Sequence, residues 1–189
     1  MTLYLSRFLF ERSPAGLALL ADPHALHGAA RGMGAGGRYL YRLEEVRGAP
    51  ALLLQTPAHP ELTRMPPGLQ AVGVKRLEES HLRPGGVYRF LLRANLVHRG
   101  KEGTRLLSLS EAAERVEGAL EGAEVREVSL RRLPPLRLTH PEAGSFSLDV
   151  VEARGVLLVR SPEALFRVLS RGVGRGKAYG LGLLSLAPA

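Results

Sequence analysis

The pattern of apolar and polar positions divides the chain into two runs of short elements. "TLYLSRFLF" (Thr2 to Phe10) breaks an apolar, aromatic-rich run only at Ser6 and Arg7, which predicts a strand. "RYLYRLEEV" (Arg38 to Val46), "ALLLQT" (Ala51 to Thr56) and "VYRFLLRAN" (Val87 to Asn95) predict three more. Between the first two strands, "SPAGLALLADPHALHGAARG" reads as helical pieces, with Asp22 as N-cap and Pro23 as first helical residue. Pro57 to Pro84 is rich in Pro, His and Gly and reads as irregular, with one short helical candidate at Pro60 to Arg64. The first half is therefore β-α-β-β-(irregular)-β, and "LVHRGKEG" (Leu96 to Gly103) has the charge and glycine of a linker.

The second half opens on a helix, where Ser108 and Glu111 have the spacing of a capping box. "EVREVSLRRL" (Glu124 to Leu133), "FSLDVVEA" (Phe146 to Ala153) and "VLLVR" (Val156 to Arg160) read as strands, with a turn at Arg154-Gly155 between the last two. "SPEALFRVLSRG" is a helix capped by Ser161 and Gly172, and "YGLGLLSL" (Tyr179 to Leu186) is a closing strand. Element order alone thus suggests an α+β protein of two tandem ferredoxin-like domains, 1–97 and 104–189, each an antiparallel sheet with helices on one face. No sequence repeat accompanies the duplication.

The chain has 189 residues, 45% hydrophobic, enough for packed cores. No apolar run approaches the roughly 18 residues that span a bilayer, and the N-terminus has no cleavage-site pattern, so a cytoplasmic protein without membrane partners is expected. The absence of cysteine removes disulfides and thiolate metal sites. The net charge is +8, carried by 23 arginines and only Lys75, Lys101 and Lys177. A GC-rich genome inflates arginine, but it does not explain the excess over acids. Arginine's planar fork suits phosphate, so a polyanionic partner is favoured. Five Tyr, five Phe and no Trp leave little for extensive base stacking.

Two stretches carry candidate chemistry. Arg171 to Gly182 holds five glycines and three cations in twelve residues. It is no P-loop, because Gly176-Lys177 is followed by Ala178 and Arg171 stands where the first glycine belongs. It is no dinucleotide fingerprint, because it runs from helix to strand. Closely spaced glycines let backbone N–H groups approach an anion, with Arg171, Arg175 and Lys177 adding charge. The other reading is a helix C-cap and a loop packed tightly against a neighbour.

The second stretch is "DPHALHGAAR" (Asp22 to Arg31), where His24, His27 and Arg31 share one face of the predicted helix. Ribonuclease chemistry without a metal needs such a set: a base for the ribose 2′-OH, an acid for the leaving 5′-oxygen, and a cation for the charge that develops on phosphate. Histidine's pKa near neutrality suits both proton transfers. A metal pair is disfavoured, since Asp22 is the nearby carboxylate and is better used as a cap. His59, His81, His98 and His140 have no comparable neighbours and are expected at the surface.

These residues resemble a known family, the CRISPR repeat-processing endoribonucleases of the E subtype (CasE or Cse3-type, RAMP superfamily). "GVGRGKAYGLGLLSLAPA" is similar to that family's glycine-rich C-terminus, "YRFLLRAN" to its internal strand motif, and "LYLSRFLF" followed by an aromatic-x-x-His on a helix to its opening. The resemblance implies two ferredoxin-like domains that bind the stem-loop of a CRISPR repeat and cut at its base without metal or other cofactor. The 2′-OH attacks the adjacent phosphate and leaves a cyclic phosphate, and the protein stays on the crRNA beside other subunits of the Cascade complex. His27 falls at the family's catalytic histidine, and His24 where a tyrosine is usual. Arg31 approximates the basic residue a turn further on.

The resemblance also places "REVSLRRLPPLRLTH" (Arg126 to His140) in the half that supplies a basic hairpin to the RNA stem. Arg131, Arg132 and Arg137 are accordingly expected to contact RNA, as are Arg171, Gly172, Gly174, Arg175, Gly176 and Lys177 of the glycine loop. The competing function is a catalytically silent RNA-binding CRISPR subunit of the same fold. A 2′,5′-phosphoesterase is set aside, because none of the six histidines has Ser or Thr two residues on.

Overall fold

Three strands of the first half form where the apolar pattern puts them: β1 (Thr2–Phe10), β2 (Leu40–Val46) and β3 (Ala49–Thr56). The computed structural model describes residues 1–101, 103–140 and 144–189. β2 and β3 form a hairpin whose two turn residues, Arg47 and Gly48, both have positive φ (51° and 78°), the turn that matches the twist of paired strands. Between β1 and β2 lie helix α1 (Pro14–Ala21), capped by Ser13, and helix α2 (Pro23–Met33), capped by the Asp22 carboxylate.

The chain divides into two compact units, Met1–His81 with Lys177–Gly180, and Leu82–Gly176 with Leu181–Ala189. In the first unit the fourth strand is β4 (Leu69–Glu78), inside the segment expected to be irregular. Only Leu69 of β4 is buried, and the strand pairs with one neighbour, β1. A solvated edge strand needs no apolar alternation. What makes this segment a strand is the edge of β1 that it pairs. The helical candidate beside it shrinks to a 3₁₀ turn at Leu62–Arg64. The sheet order β2-β3-β1-β4, all antiparallel, is the ferredoxin order. Phe8, Tyr41, Leu52 and Leu54 on one face of the sheet pack with Leu19 of α1 and Leu26, Ala30 and Met33 of α2.

The second unit runs β5 (Val87–Ala94), β6 (Val97–Gly100), β7 (Gly103–Leu106), α3 (Leu109–Ala119), β8 (Ala123–His140), β9 (Gly144–Val159), α4 (Pro162–Arg171) and β10 (Leu184–Pro188). Its sheet order, β10-β5-β9-β8, repeats the ferredoxin arrangement with β5 as first strand. The strand expected to close the first domain therefore opens the second, and the division falls at Leu82 instead of between 97 and 104. Alternation marks β5 as a strand but says nothing about its partners, β9 and β10, which lie far along the chain. The expected linker forms the β6–β7 hairpin, Glu102 lying outside the described residues.

The three strands expected between Glu124 and Arg160 are two long ones. Gly155 is no turn: it sits inside β9, where an added Cβ would lie 1.9 Å from the Glu127 carbonyl oxygen, at a bulge in β8 between Val125 and Glu127. The α3 capping box and the Ser161 and Gly172 caps of α4 form as expected. The closing strand starts at Leu184, because Lys177–Tyr179 is a 3₁₀ turn. His59, His81 and His98 are exposed, as expected, while the side chain of His140 lies outside the described part. Among the described residues no helix is long and apolar enough to cross a membrane.

Candidate active site

The Asp22 carboxylate accepts hydrogen bonds from the backbone N–H groups of His24 (2.9 Å) and Ala25 (3.2 Å). This starts α2 so that His24 and His27 stand one turn apart, both half-buried. Leu26, Ala29, Ala30 and Met33 bury the opposite side of the helix in the core. The amphipathic pattern of α2 thus aims both imidazoles away from the core, towards the C-terminal segment Lys177–Gly180 that packs into the same unit.

Three aromatic contacts join the histidines to tyrosines. The Tyr179 ring lies 5.9 Å from His24 in a T-shaped arrangement and 6.3 Å from His27, tilted by 38°. The Tyr39 ring lies 5.9 Å from His27, and its hydroxyl oxygen is 2.9 Å from His27 Nδ1. Burial raises the pKa of the Tyr39 phenol against the opposing pull of Arg31, which places the Arg31 charge within electrostatic reach of the cluster. Beside the imidazoles, Arg38, Tyr39, Leu40, Lys177 and Ala178 line a surface depression of about 490 Å³. Two imidazoles, a phenol and cations at a depression can exchange protons with a bound phosphodiester and offset its charge. Among the described residues no three His, Asp or Glu side chains converge as metal ligands.

The glycine-rich segment holds Tyr179 in place. Buried Tyr41 donates its hydroxyl to the Ala178 carbonyl at 2.9 Å, and burial, then Tyr39 and Tyr179, push its pKa upward so that it stays a neutral donor. Gly180, with φ of 81°, lies against the Tyr41 ring, 3.0 Å from where a Cβ would stand. Within the second unit the same segment is tied to the end of β5: Gly182 N–H donates to the Arg93 carbonyl (2.7 Å) and Arg175 N–H to the Asn95 carbonyl (3.4 Å). Gly174 and Gly176 also have positive φ, and a Cβ at Gly176 would come 2.9 Å from Leu181. Backbone conformation and close packing therefore account for these glycines.

The sequence profile described as "CRISPR associated protein" matches residues 3–188. The chain belongs to this family. It is 34% identical over 193 residues to the CRISPR-associated endoribonuclease Cse3 of Thermus thermophilus, covering 89% of this chain and 92% of that protein. The structure of Thermus thermophilus Cse3 bound to an RNA representing a pre-cleavage complex superposes with a TM-score of 0.86 at 30% identity, over the whole of both chains. The CRISPR-associated protein Cas6e of Escherichia coli shares the fold, with a TM-score of 0.78 at 24% identity over 98% of this chain and 100% of that one.

Of the residues expected to act in this family member, His24, His27, Arg31 and Lys177 all fall in the first unit. Arg131, Arg132, Arg137, Arg171, Gly172, Gly174, Arg175 and Gly176 fall in the second. The three β8 arginines do not share a face: Arg131 stands opposite Glu152, Arg132 and Arg137 opposite Val151 and Ser147. Arg131 is ion-paired to Glu152 at 2.8 Å, Arg132 donates to the Leu107 carbonyl, and Arg171 pairs with Glu121 at 2.6 Å. Arg137 and Arg175 are exposed. Sequence reading missed Arg38, Tyr39 and Tyr179 at the cluster. One signal for Tyr39 was available, because Tyr39 and Tyr41 are two apart and a strand period puts both on the side that α2 covers.

Proposed function

We propose that this chain is a metal-independent endoribonuclease that binds the stem-loop of CRISPR repeat RNA and cuts at its base. One imidazole of the His24 and His27 pair takes the proton of the ribose 2′-OH. The freed 2′-oxygen attacks the adjacent phosphorus, the bond from phosphorus to the 5′-oxygen breaks, and that oxygen takes a proton from the other imidazole as imidazolium. The products are a 2′,3′-cyclic phosphate and a 5′-hydroxyl. His27 is the principal acid/base, His24 assists, and Arg31 offsets charge on the phosphate. Arg137, Arg175 and Lys177 are cations of the RNA-binding surface, and the crRNA product is retained in the cytoplasm with other Cascade subunits.

The observation that carries this reading is the meeting of His24, His27, Tyr39 and Tyr179 beside a depression lined by Arg38 and Lys177. The family relative named as an endoribonuclease supports it. The test is cleavage of the repeat RNA of the protein's own locus in EDTA, beside His27→Ala and a substrate 2′-deoxy at the scissile position. The wild-type protein is expected to cut in EDTA, His27→Ala to cut about 10²- to 10⁴-fold more slowly, and the deoxy substrate to bind uncut. A metal requirement, or cleavage unaffected by either change, rejects the mechanism. Tight binding with no cleavage by the wild-type protein identifies a silent RNA-binding subunit.

A further inference from the structure

The Tyr39 oxygen lies 2.9 Å from His27 Nδ1 and 3.5 Å from Nε2, so Nδ1 is the nitrogen it engages. A neutral imidazole has one N–H and one lone pair, and the hydrogen bond made by one nitrogen decides what the other can do. A phenol donates or accepts, so Tyr39 can serve as the acceptor for an Nδ1 proton. Its raised pKa keeps it a neutral phenol. His27 touches Tyr39 and Tyr179; the other titratable or charged groups on the elements that meet here are Asp22, His24 and Arg31 of α2 and its cap, Arg38 ahead of β2, and Lys177 of the 3₁₀ turn. Asp22 is occupied by the helix N-terminus, so the orienting partner of His27 is a phenol and not a carboxylate.

Ring packing supports the same assignment. His27 has Tyr39 tilted at 42° on one contact and Tyr179 at 38° on another, which restricts rotation of the imidazole. We propose that Tyr39 is a positioning residue for His27: its phenol oxygen accepts a hydrogen bond from Nδ1–H, which keeps the proton on Nδ1 and leaves the Nε2 lone pair to take the proton of the ribose 2′-OH. This rests on the endoribonuclease reading. His24 stands where the family resemblance leads one to expect tyrosine, and Tyr39 brings a tyrosine hydroxyl to the catalytic histidine from a different element.

The variant is Tyr39→Phe, which keeps the ring and removes the oxygen. In ¹⁵N-histidine-labelled full-length protein without RNA, the wild-type His27 is expected in the Nδ1-protonated form, and the variant in the Nε2-protonated form that free imidazole favours. With repeat RNA, the single-turnover cleavage constant is expected to fall about tenfold, the loss of one hydrogen bond in the transition state, while RNA affinity stays within about twofold. A wild-type Nε2-protonated form, an unchanged tautomer in the variant, or a changed tautomer with unchanged cleavage each overturns the proposal. Failure of the wild-type protein to cleave overturns the endoribonuclease reading instead, and the tautomer measurement still decides whether Tyr39 holds His27.

Discussion

Glu152 is a carboxylate that is 1% exposed, in the middle of β9, and three guanidiniums converge on it. Arg93 Nε lies at 2.7 Å, and Arg131 Nε and Arg154 Nε both at 2.9 Å. Burial acts to raise its pKa, but hydrogen bonds from Arg93 and Arg154, the Arg93 charge and a hydrogen bond from Arg131 outweigh it and bring the pKa down from 4.5 to about 2. That difference corresponds to about 3 kcal/mol of stability at neutral pH. Arg131 and Arg154 keep 62% and 60% of their side chains exposed, and solvent screening reduces the realised value to about 2 kcal/mol.

The folded pKa lies below the unfolded one, so this stabilisation is complete above the unfolded value and is lost as pH falls towards the folded value. Glu152→Gln is expected to lower the stability of the fold by about 2 kcal/mol at pH 7. At pH 3 the difference between the two proteins shrinks to under half of that. Urea denaturation followed by circular dichroism at both pH values reads it directly. Equal stability at pH 7, or a deficit that does not change with pH, refutes the reasoning.

Gly155→Ala forces a methyl group against the Glu127 carbonyl and is expected to destabilise by about 3 kcal/mol or more, seen as a lower urea midpoint. Gly180→Ala places a side chain at φ of 81° against the Tyr41 ring. It should destabilise by about 1–3 kcal/mol and slow cleavage, since Tyr179 is the next residue; unchanged cleavage separates the loop from the histidines. Arg137→Ala should weaken RNA binding evenly across repeat variants and reduce the slope of log affinity against log salt by about one, whereas an unchanged slope removes Arg137 from the RNA surface.

Local chemistry made much of this protein legible from sequence. Asp22-Pro23, Ser108 with Glu111, and Ser161-Pro162 start helices through contacts only a few residues apart, and each starts one in the structure. Strands with a buried face, β1, β3 and β5, announced themselves by apolar content. His24, His27 and Arg31 could be placed on one helix face for the same local reason. What could not be read was anything decided by a distant partner. β4 is a strand because β1 offers an edge to pair, β5 belongs with β9 and β10, and Gly155 serves a bulge on another strand.

The candidate site divides the same way. Its imidazoles came from helix periodicity within eleven residues of chain, but the tyrosines beside them come from just ahead of β2 and from a turn some 140 residues further on. Tyr179 reaches His24 because Tyr41 binds Ala178 and Gly180 lets the backbone close on the Tyr41 ring. The sequence by itself determined which short segments could become helix or strand and which residues could move a proton. Strand partners, the division at Leu82 and the hydroxyl at His27 Nδ1 were decided by tertiary structure, because long-range pairing depends on which surfaces remain unsatisfied once local elements have formed.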